Sequence, residues 1–156
     1  MSVTHNTFSI DRPYSTTPER LFAAFADPDR KRRWFVESGN NQVDGYELDF
    51  RVGGREVATI RHSGGPVADV TFHADAVYLD IVPNSRIVFA STMAMAGARI
   101  SATLVTIEFI PESSQTRLVL THQGAFFEGA DGPAIREQGW RTLLDRLSDH
   151  ATHTAA

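Results

Sequence analysis

The sequence contains no cysteine, so disulfides, zinc–thiolate sites and a thiol nucleophile are excluded. It also has no apolar run near the ~20 residues that a membrane-spanning helix requires. The N-terminal residues 1–6 have neither the basic nor the apolar region of a secretory signal. We therefore expect a soluble cytoplasmic protein that does not insert into a membrane.

The sequence also lacks an excess of basic residues. It has 15 Lys and Arg and 19 Asp and Glu, which gives a formal net charge of −4. This balance argues against a broad binding surface for nucleic acid. The one basic run, Arg30-Lys31-Arg32-Arg33, is interpreted as the solvated face of a short helix.

The histidines show no metal-ligand spacing, and no motif joins serine, histidine and aspartate into a catalytic triad. The sequence therefore predicts no metal, no cofactor, no nucleic-acid partner and no assigned catalytic residue. Its 156 residues, 42% hydrophobic and 22% charged, fit a single domain over 1–156.

Two short helices are predicted near the N-terminus. For the first, the sequence leaves two starts open: Thr17 as N-cap before Pro18, or Thr16 with Glu19 in a capping box. A second short helix is predicted from Asp27-Pro28 through Trp34-Phe35.

A strand is predicted over 7–14, and from residue 46 the hydrophobic period changes to two. Alternation predicts strands at 46–52, 103–109 and 117–122, and turn signals delimit further strands at 55–61, 69–82 and 86–95. Turns are predicted between them at Gly53-Gly54, Gly64-Gly65-Pro66 and Pro83-Asn84-Ser85.

A long helix closes the chain, beginning near Asp131-Gly132-Pro133. At ~100° per residue, one apolar arc contains Ile135, Gly139, Trp140, Leu143, Leu144, Leu147 and Ala151. Arg136 falls in the middle of this arc. Because a buried arginine without partners is costly, we expect it at a cavity mouth or against a carboxylate.

These elements predict an α+β fold. A curved antiparallel sheet lies around a long C-terminal helix, and two short helices follow the first strand. A sheet capped in this way can enclose a hollow, so the fold suggests a protein that holds an apolar molecule.

The order of several segments resembles a known family. The segments are Pro18-Glu19-Arg20-Leu21-Phe22-Ala23-Ala24-Phe25, Asp27-Pro28, Trp34-Phe35, Gly53-Gly54-Arg55, Pro83-Asn84-Ser85-Arg86-Ile87-Val88-Phe89, Thr116-Arg117-Leu118-Val119-Leu120-Thr121-His122 and Gly139-Trp140 with Leu143 and Leu147. They resemble bacterial proteins similar to the activator of heat-shock protein 90 ATPase, within the START-like (polyketide cyclase and lipid transport) superfamily. The resemblance implies the helix-grip fold with an internal cavity.

Two polar residues are candidates for contact with a ligand. His122 alternates onto the same face as Leu118 and Leu120, where it could orient a ligand hydroxyl or carbonyl, or carry a proton. The alternative is a core histidine with satisfied nitrogens. Arg136 could pair with a ligand carboxylate or phosphate, the alternative being an ordinary salt bridge.

An apolar set could line the same site, the alternative for each member being plain core packing. The predicted lining consists of Trp34, Phe50, Phe89, Met93, Val105, Ile107, Trp140 and Leu143.

The sequence thus predicts binding of a small, largely apolar organic ligand, of lipid, polyketide or aromatic type, by a monomer or homodimer. One alternative is a cyclase, dehydratase or hydrolase, which would need His122 and a second titratable group such as His73, Asp75 or Arg136 facing the same hollow. The second alternative is a chaperone-associated interaction protein.

Overall fold

The structure, a computed structural model, describes residues 2–37, 39, 41–63, 65, 68–128 and 130–153. Its strands are β1 (Thr4–Tyr14), β2 (Asn41–Leu48), β3 (Arg55–His62), β4 (Thr71–Val82), β5 (Arg86–Met95), β6 (Ala98–Glu112) and β7 (Gln115–Phe126). Its helices are α1 (Pro18–Ala26), α2 (Pro28–Phe35) and α3 (Pro133–His153). Of the turn predicted at Gly64-Gly65-Pro66, Gly64 and Pro66 lie outside the described residues.

All seven strands form one antiparallel sheet in the order β1-β7-β6-β5-β4-β3-β2. The sheet curves, and α3 packs on β1, α1 and α2. The hydroxyl of Tyr14 on β1 donates to the backbone carbonyl of Leu144 on α3, at 2.9 Å. The predicted α+β helix-grip architecture is therefore confirmed.

Side-chain caps fix the starts of both short helices. The Thr17 hydroxyl accepts from the backbone N–H of Arg20 at 3.2 Å, with Pro18 following as the first helical residue. The Asp27 carboxylate accepts from the N–H of Asp29 at 2.9 Å, ahead of the second helix. Of the two starts left open for α1, the structure therefore has the Thr17 cap.

The chain between β2 and β3 is a six-residue connection, 49–54, rather than the predicted tight hairpin turn. Phe50 and Val52 were predicted to continue the strand alternation, and this is wrong because β2 ends at Leu48. The Gly53 N–H instead donates to the Tyr78 carbonyl on β4, at 2.8 Å. A Cβ on Gly54 would lie 2.0 Å from the Asp49 carbonyl oxygen, so this fold of the loop requires glycine there.

The buried stripe of α3 is rotated relative to the predicted arc. Ile135 is 64% exposed and Gly139 is exposed as well, so their predicted place against the sheet is wrong. The stripe instead consists of Arg136, Trp140, Leu144, Leu147 and Ala151. The rotation follows from the hydrogen bonds of the Arg136 side chain to Asp131 and to Ser101 on β6, which hold this residue inward.

The basic run on α2 is not a uniformly solvated face, because Lys31 is only 2% exposed. Its ammonium lies 2.8 Å and 2.7 Å from the two carboxylate oxygens of Glu56 on β3. The hydroxyl of Tyr46 donates to Glu56 at 2.6 Å, and that of Tyr78 at 3.2 Å. We call these four residues the Lys31 cluster; they join α2 to β2, β3 and β4.

Both phenols of the Lys31 cluster remain hydrogen-bond donors. Burial raises the pKa of Tyr46 and of Tyr78 above the ordinary value, and the negative charge of Glu56 raises both further. The carboxylate therefore keeps one ammonium and two hydroxyl donors, which is the condition under which a buried ion pair is stable.

We predict that Lys31→Met lowers the free energy of unfolding by about 3–5 kcal/mol, since it leaves the Glu56 carboxylate buried without its cation. Arg33→Met is the matched control, because Arg33 is exposed on the same helix, and should change stability by less than ~0.5 kcal/mol. Urea unfolding followed by circular dichroism measures both. Equal stabilities for the two variants would show that the ion pair does not hold α2 in place.

Candidate functional site

Strand pairing places a row of large side chains across the concave face of the sheet. Directly opposed neighbours in this row are Tyr78 on β4, Phe89 on β5, Val105 on β6, His122 on β7 and Phe8 on β1. All five are buried. The candidates Phe89, Val105 and His122 are thereby brought side by side in a packed layer, and Ile107, 1% exposed, belongs to the same core.

Two residues further along each strand, the same face carries much smaller side chains. Ala76, Ser91, Thr103 and Gly124 oppose one another across β4 to β7, and the next row contains Ala74 and Met93. We call the half-buried members of these rows the open strip: Ala74, Ser91, Met93, Thr103 and Gly124. These residues are half-buried although they face inward, and the strand that α3 packs on is β1.

The helical candidates divide into two groups. Trp140, 9% exposed, lies one turn beyond Arg136 on the buried stripe of α3, and its ring is 6.2 Å from that of Phe35. Leu143 is half-buried at the edge of the core. Trp34 is different, because its ring N–H donates to the Ala24 carbonyl at 2.9 Å and thereby docks α2 against α1.

Phe50, although it lies in the connection between β2 and β3, still reaches the core. Its ring contacts those of Phe22 at 5.6 Å and Tyr78 at 5.1 Å, both edge-on. It remains half-buried, as does Met93. Of the ten candidate residues, Met93, Leu143 and Phe50 are thus the half-buried ones.

His122 is held in an aromatic stack. Its ring lies nearly parallel to Phe8, with centroids 4.6 Å apart and planes 11° apart, and Phe126 is 6.2 Å from it. Burial lowers the pKa of His122 to about 4, and the nearby Arg136 cation lowers it too. Among the described residues, its Nδ1 has no hydrogen-bond partner. His122 is therefore a buried, neutral imidazole packed between two aromatic rings.

Arg136 is anchored by a carboxylate, as expected from its place on the apolar arc. Its Nε and Nη2 each lie 2.9 Å from an oxygen of Asp131, and Nη2 also donates to Ser101 at 2.9 Å. The guanidinium also lies 5.2 Å from the Phe126 ring centroid. The sequence reasoning missed Asp131 and Ser101 as partners, although Asp131 stands only five residues before Arg136.

Two further residues considered for a catalytic role face away from the strip. His73 and Asp75 alternate onto the convex face of β4. There, Nδ1 of His73 lies within hydrogen-bond distance of the Thr59 hydroxyl, at 2.9 Å, and the Asp75 carboxylate forms an ion pair with Arg55. They border an open, polar depression on that outer surface. Across the described part of the chain, no group of three or more His, Asp or Glu side chains could hold a metal ion.

A second polar centre lies at the opposite end of the small row. Glu56 pairs directly with Ala76, so the Lys31 cluster continues the row toward β2. The concave face thus has polar groups at both ends, with the open strip between them. The sequence reasoning assigned no role to Glu56, Tyr46 or Tyr78.

Comparison with known proteins identifies the family. The sequence profile of the family described as "Activator of Hsp90 ATPase homolog 1-like protein" matches residues 15–152. The chain belongs to this family. The predicted resemblance is confirmed, and the START-like fold supports ligand-binding or polyketide-cyclase-like roles in general.

Solved structures agree with this assignment. A protein from Rhizobium loti is 43% identical, with a TM-score of 0.86 over 96% of this chain and 99% of its own. One from Rhizobium leguminosarum is 37% identical, with a TM-score of 0.89 over 97% of each chain. An AHSA1-like protein from Aeromonas hydrophila, 22% identical, has a TM-score of 0.71 over 96% of this chain and 94% of its own, and shows the fold.

A search of the curated proteins found no match. Within the described residues, no helix is both long enough and apolar enough to cross a membrane.

We predict that His122 makes stability depend on pH. Since its native pKa, about 4, lies below the ordinary 6.5, the unfolded chain takes up a proton first as the pH falls. The wild type should therefore lose on the order of 3 kcal/mol between pH 7 and pH 4 through this group. His122→Phe keeps the aromatic stack and should lose correspondingly less.

Urea unfolding of both proteins at pH 7 and pH 4 checks this expectation. The carboxylates contribute equally to the two proteins, so the difference between their losses reports His122. Identical losses would mean that folding does not lower the pKa of His122.

Proposed function

We propose that this protein binds a small, largely apolar organic ligand along the open strip, between α3 and strands β4 to β7. The observation that carries the proposal is the half-exposure of inward-facing residues on a concave face. Met93 and Gly124 are half-buried, whereas Phe89 and His122, two residues away on the same strands and face, are buried. The concave face is buried along one row, whereas Ser91, Thr103 and Gly124 in the next row are half-buried.

The chemistry of the strip suits an apolar molecule. Its side chains are short or uncharged, and Met93 supplies a flexible thioether that adapts to different shapes. On α3, Trp140 belongs to the hydrophobic core and Leu143 packs against it. Ligand sites combine a mostly apolar concave surface with a few placed polar groups. Here the polar groups near the strip are His122 and the anchored Arg136.

The residues of the concave face support ligand binding without catalysis better than they support an enzyme. A cyclase, dehydratase or hydrolase requires a proton donor and an acceptor that face the same ligand. His73 and Asp75, considered for that role, alternate onto the convex face of β4. Arg136 does lie near His122, but its guanidinium is bound to Asp131.

A matched pair of variants on β5 tests the proposal. Met93 faces the strip and the next residue, Ala94, faces the convex surface beside His73 and Arg99; both are half-buried. Met93→Glu should weaken binding of 2-methoxynaphthalene at least tenfold, because a carboxylate would have to be desolvated against the ligand. Ala94→Glu should leave the affinity unchanged.

Isothermal titration calorimetry measures the affinities. Native mass spectrometry of the freshly purified wild type, searching for a co-purifying small molecule, is the complementary experiment. Unchanged affinity in Met93→Glu, or an equal loss of affinity in both variants, would show that the ligand does not bind on the concave face.

The two tryptophans give a second prediction. Trp140→Ala should weaken binding of an apolar ligand more than Trp34→Ala does, because Trp140 lies on the helix beside the strip and Trp34 docks α2 on α1. Truncating either buried ring costs about 3–5 kcal/mol of stability. Affinities must therefore be compared at a temperature where both variants remain folded. Equal affinity in folded Trp140→Ala and wild type would exclude Trp140 from the site.

A further inference from the structure

We propose that the depression on the convex face of the sheet binds the phosphate group of a small, soluble phosphate ester. Its hydrogen-bond donors are the guanidinium of Arg99 on β6, Nε2 of His73 on β4 and the hydroxyl of Thr92 on β5, residues that line the depression together. The site lies on the face opposite to the open strip. It therefore goes beyond the proposed function, and its test does not depend on that function.

Strand pairing places two of the donors on either side of one small residue. Ala94 on β5 pairs with His73 on β4 and with Arg99 on β6. Because neighbouring strands lie about 4.8 Å apart, the backbones of His73 and Arg99 are on the order of 10 Å apart. The short side chain of Ala94 leaves the space between them open, and the depression has a volume of about 490 Å³. At its end, a Cβ on Gly97 would meet no atom within 4 Å, so an ester can extend past the turn.

A β-bulge turns Arg99 onto this face. Ser101 pairs with Met93, but the next residue on β5, Ala94, pairs with Arg99, so Ile100 is the extra residue on β6. Strict alternation from Ser101, which faces inward and is fully buried, would place Arg99 on the concave side. Instead Ile100 is buried and Arg99 is exposed on the convex face. Bulges re-aim side chains in this way and are enriched beside functional sites.

The charge of the depression favours an anion. Asp75 is the only acidic residue in the lining, and both of its carboxylate oxygens are bound by Arg55. Within the described residues, no carboxylate pairs with the exposed guanidinium of Arg99. An anion would therefore gain an ion pair with Arg99 without separating Arg55 from Asp75.

The number of donors favours a tetrahedral phosphate over a planar carboxylate. The hydroxyl of Thr59 lies 2.9 Å from Nδ1 of His73, and when it donates to this nitrogen, Nε2 carries the ring proton and is a donor. Thr92 precedes Ala94 by two residues on the same face, so its hydroxyl approaches along the strand. The planar guanidinium of Arg99 matches two phosphate oxygens at once. A phosphate has an oxygen for each of the three groups, whereas a carboxylate has two oxygens in all.

A single free cation favours a soluble ester over a lipid head group. Recruitment to an anionic membrane uses clusters of about four to eight Lys or Arg. The lining of the depression contains one arginine, Arg99, and no lysine. One such cation with two neutral donors suits a single phosphate group.

NMR titration of the ¹⁵N-labelled protein with glycerol 3-phosphate at pH 7 tests the proposal. The wild type should show saturable shifts at the backbone amides of Thr92 and Ala94 and at the Nε–H of Arg99, with a Kd on the order of 1 mM. Glycerol should cause no shifts. Acetate, which cannot reach all three donors, should bind at least about threefold more weakly.

Arg99→Gln should weaken binding of glycerol 3-phosphate at least about tenfold, because it removes the charge-assisted hydrogen bonds. Arg99 is exposed, so the substitution leaves the core intact. Arg33→Gln is the matched control, since Arg33 is exposed on α2 and its loss changes the net charge equally; its affinity should equal that of the wild type. Equal losses in the two variants, or no saturable shift in the wild type at about 20 mM ligand, would overturn the proposal.

Two further comparisons separate this site from its alternatives. Ala94→Glu puts a carboxylate on the floor of the depression and should abolish binding of glycerol 3-phosphate, whereas Met93→Glu, on the concave face, should retain it. This pattern is the reverse of that expected for the apolar ligand, so failure of one proposal is distinguishable from failure of the other. Sedimentation with vesicles of phosphatidylcholine and phosphatidic acid, without binding of glycerol 3-phosphate, would overturn the assignment to a soluble ester.

Discussion

The buried ion pair between Lys31 and Glu56 is the interaction on which the concave face depends. It links α2 to the sheet, and the hydroxyls of Tyr46 and Tyr78 supply the additional hydrogen bonds that a desolvated carboxylate requires. Phe35, at the end of α2, lies 4.5 Å from the Lys31 ammonium and packs on Trp140 of α3. The ion pair therefore joins α2 to the sheet, and through Phe35 it supports the packing of α2 against α3.

The concave face combines rigidity at its ends with access in its middle. The Lys31 cluster lies toward β2, and the stack of Phe8 on His122 lies toward β1, each held by packing or ionic contacts. Between them, the opposed residues Ala76, Ser91 and Thr103 are small. Fixed polar groups at the margins of a half-buried, uncharged surface can orient a ligand without rearrangement of the protein, which is the property that the proposed function requires.

Much of the fold could be predicted from the sequence, because local signals specify its elements. Thr17 is one of the two starts that the sequence left open for α1, the predicted second helix begins after Asp27, and the turn at 83–85 located the start of β5 at Arg86. The Lys31 cluster could not be predicted, since a run of four basic residues is typical of a solvated surface. One signal was present: Lys31 is the only lysine in a chain that otherwise uses arginine. The rotation of α3 was missed because it depends on Asp131 and Ser101, which helical periodicity does not reveal.

Methyl NMR tests the central claim, that a ligand lies on the concave face, most directly. The Cε methyl of Met93 faces the open strip, and the methyl of Ala94, the next residue, faces the convex side. With both methyls labelled with ¹³C, a bound aromatic ligand should shift the Met93 resonance by its ring current and leave Ala94 nearly unmoved. A ligand that binds and shifts Ala94 while Met93 stays in place would contradict the account.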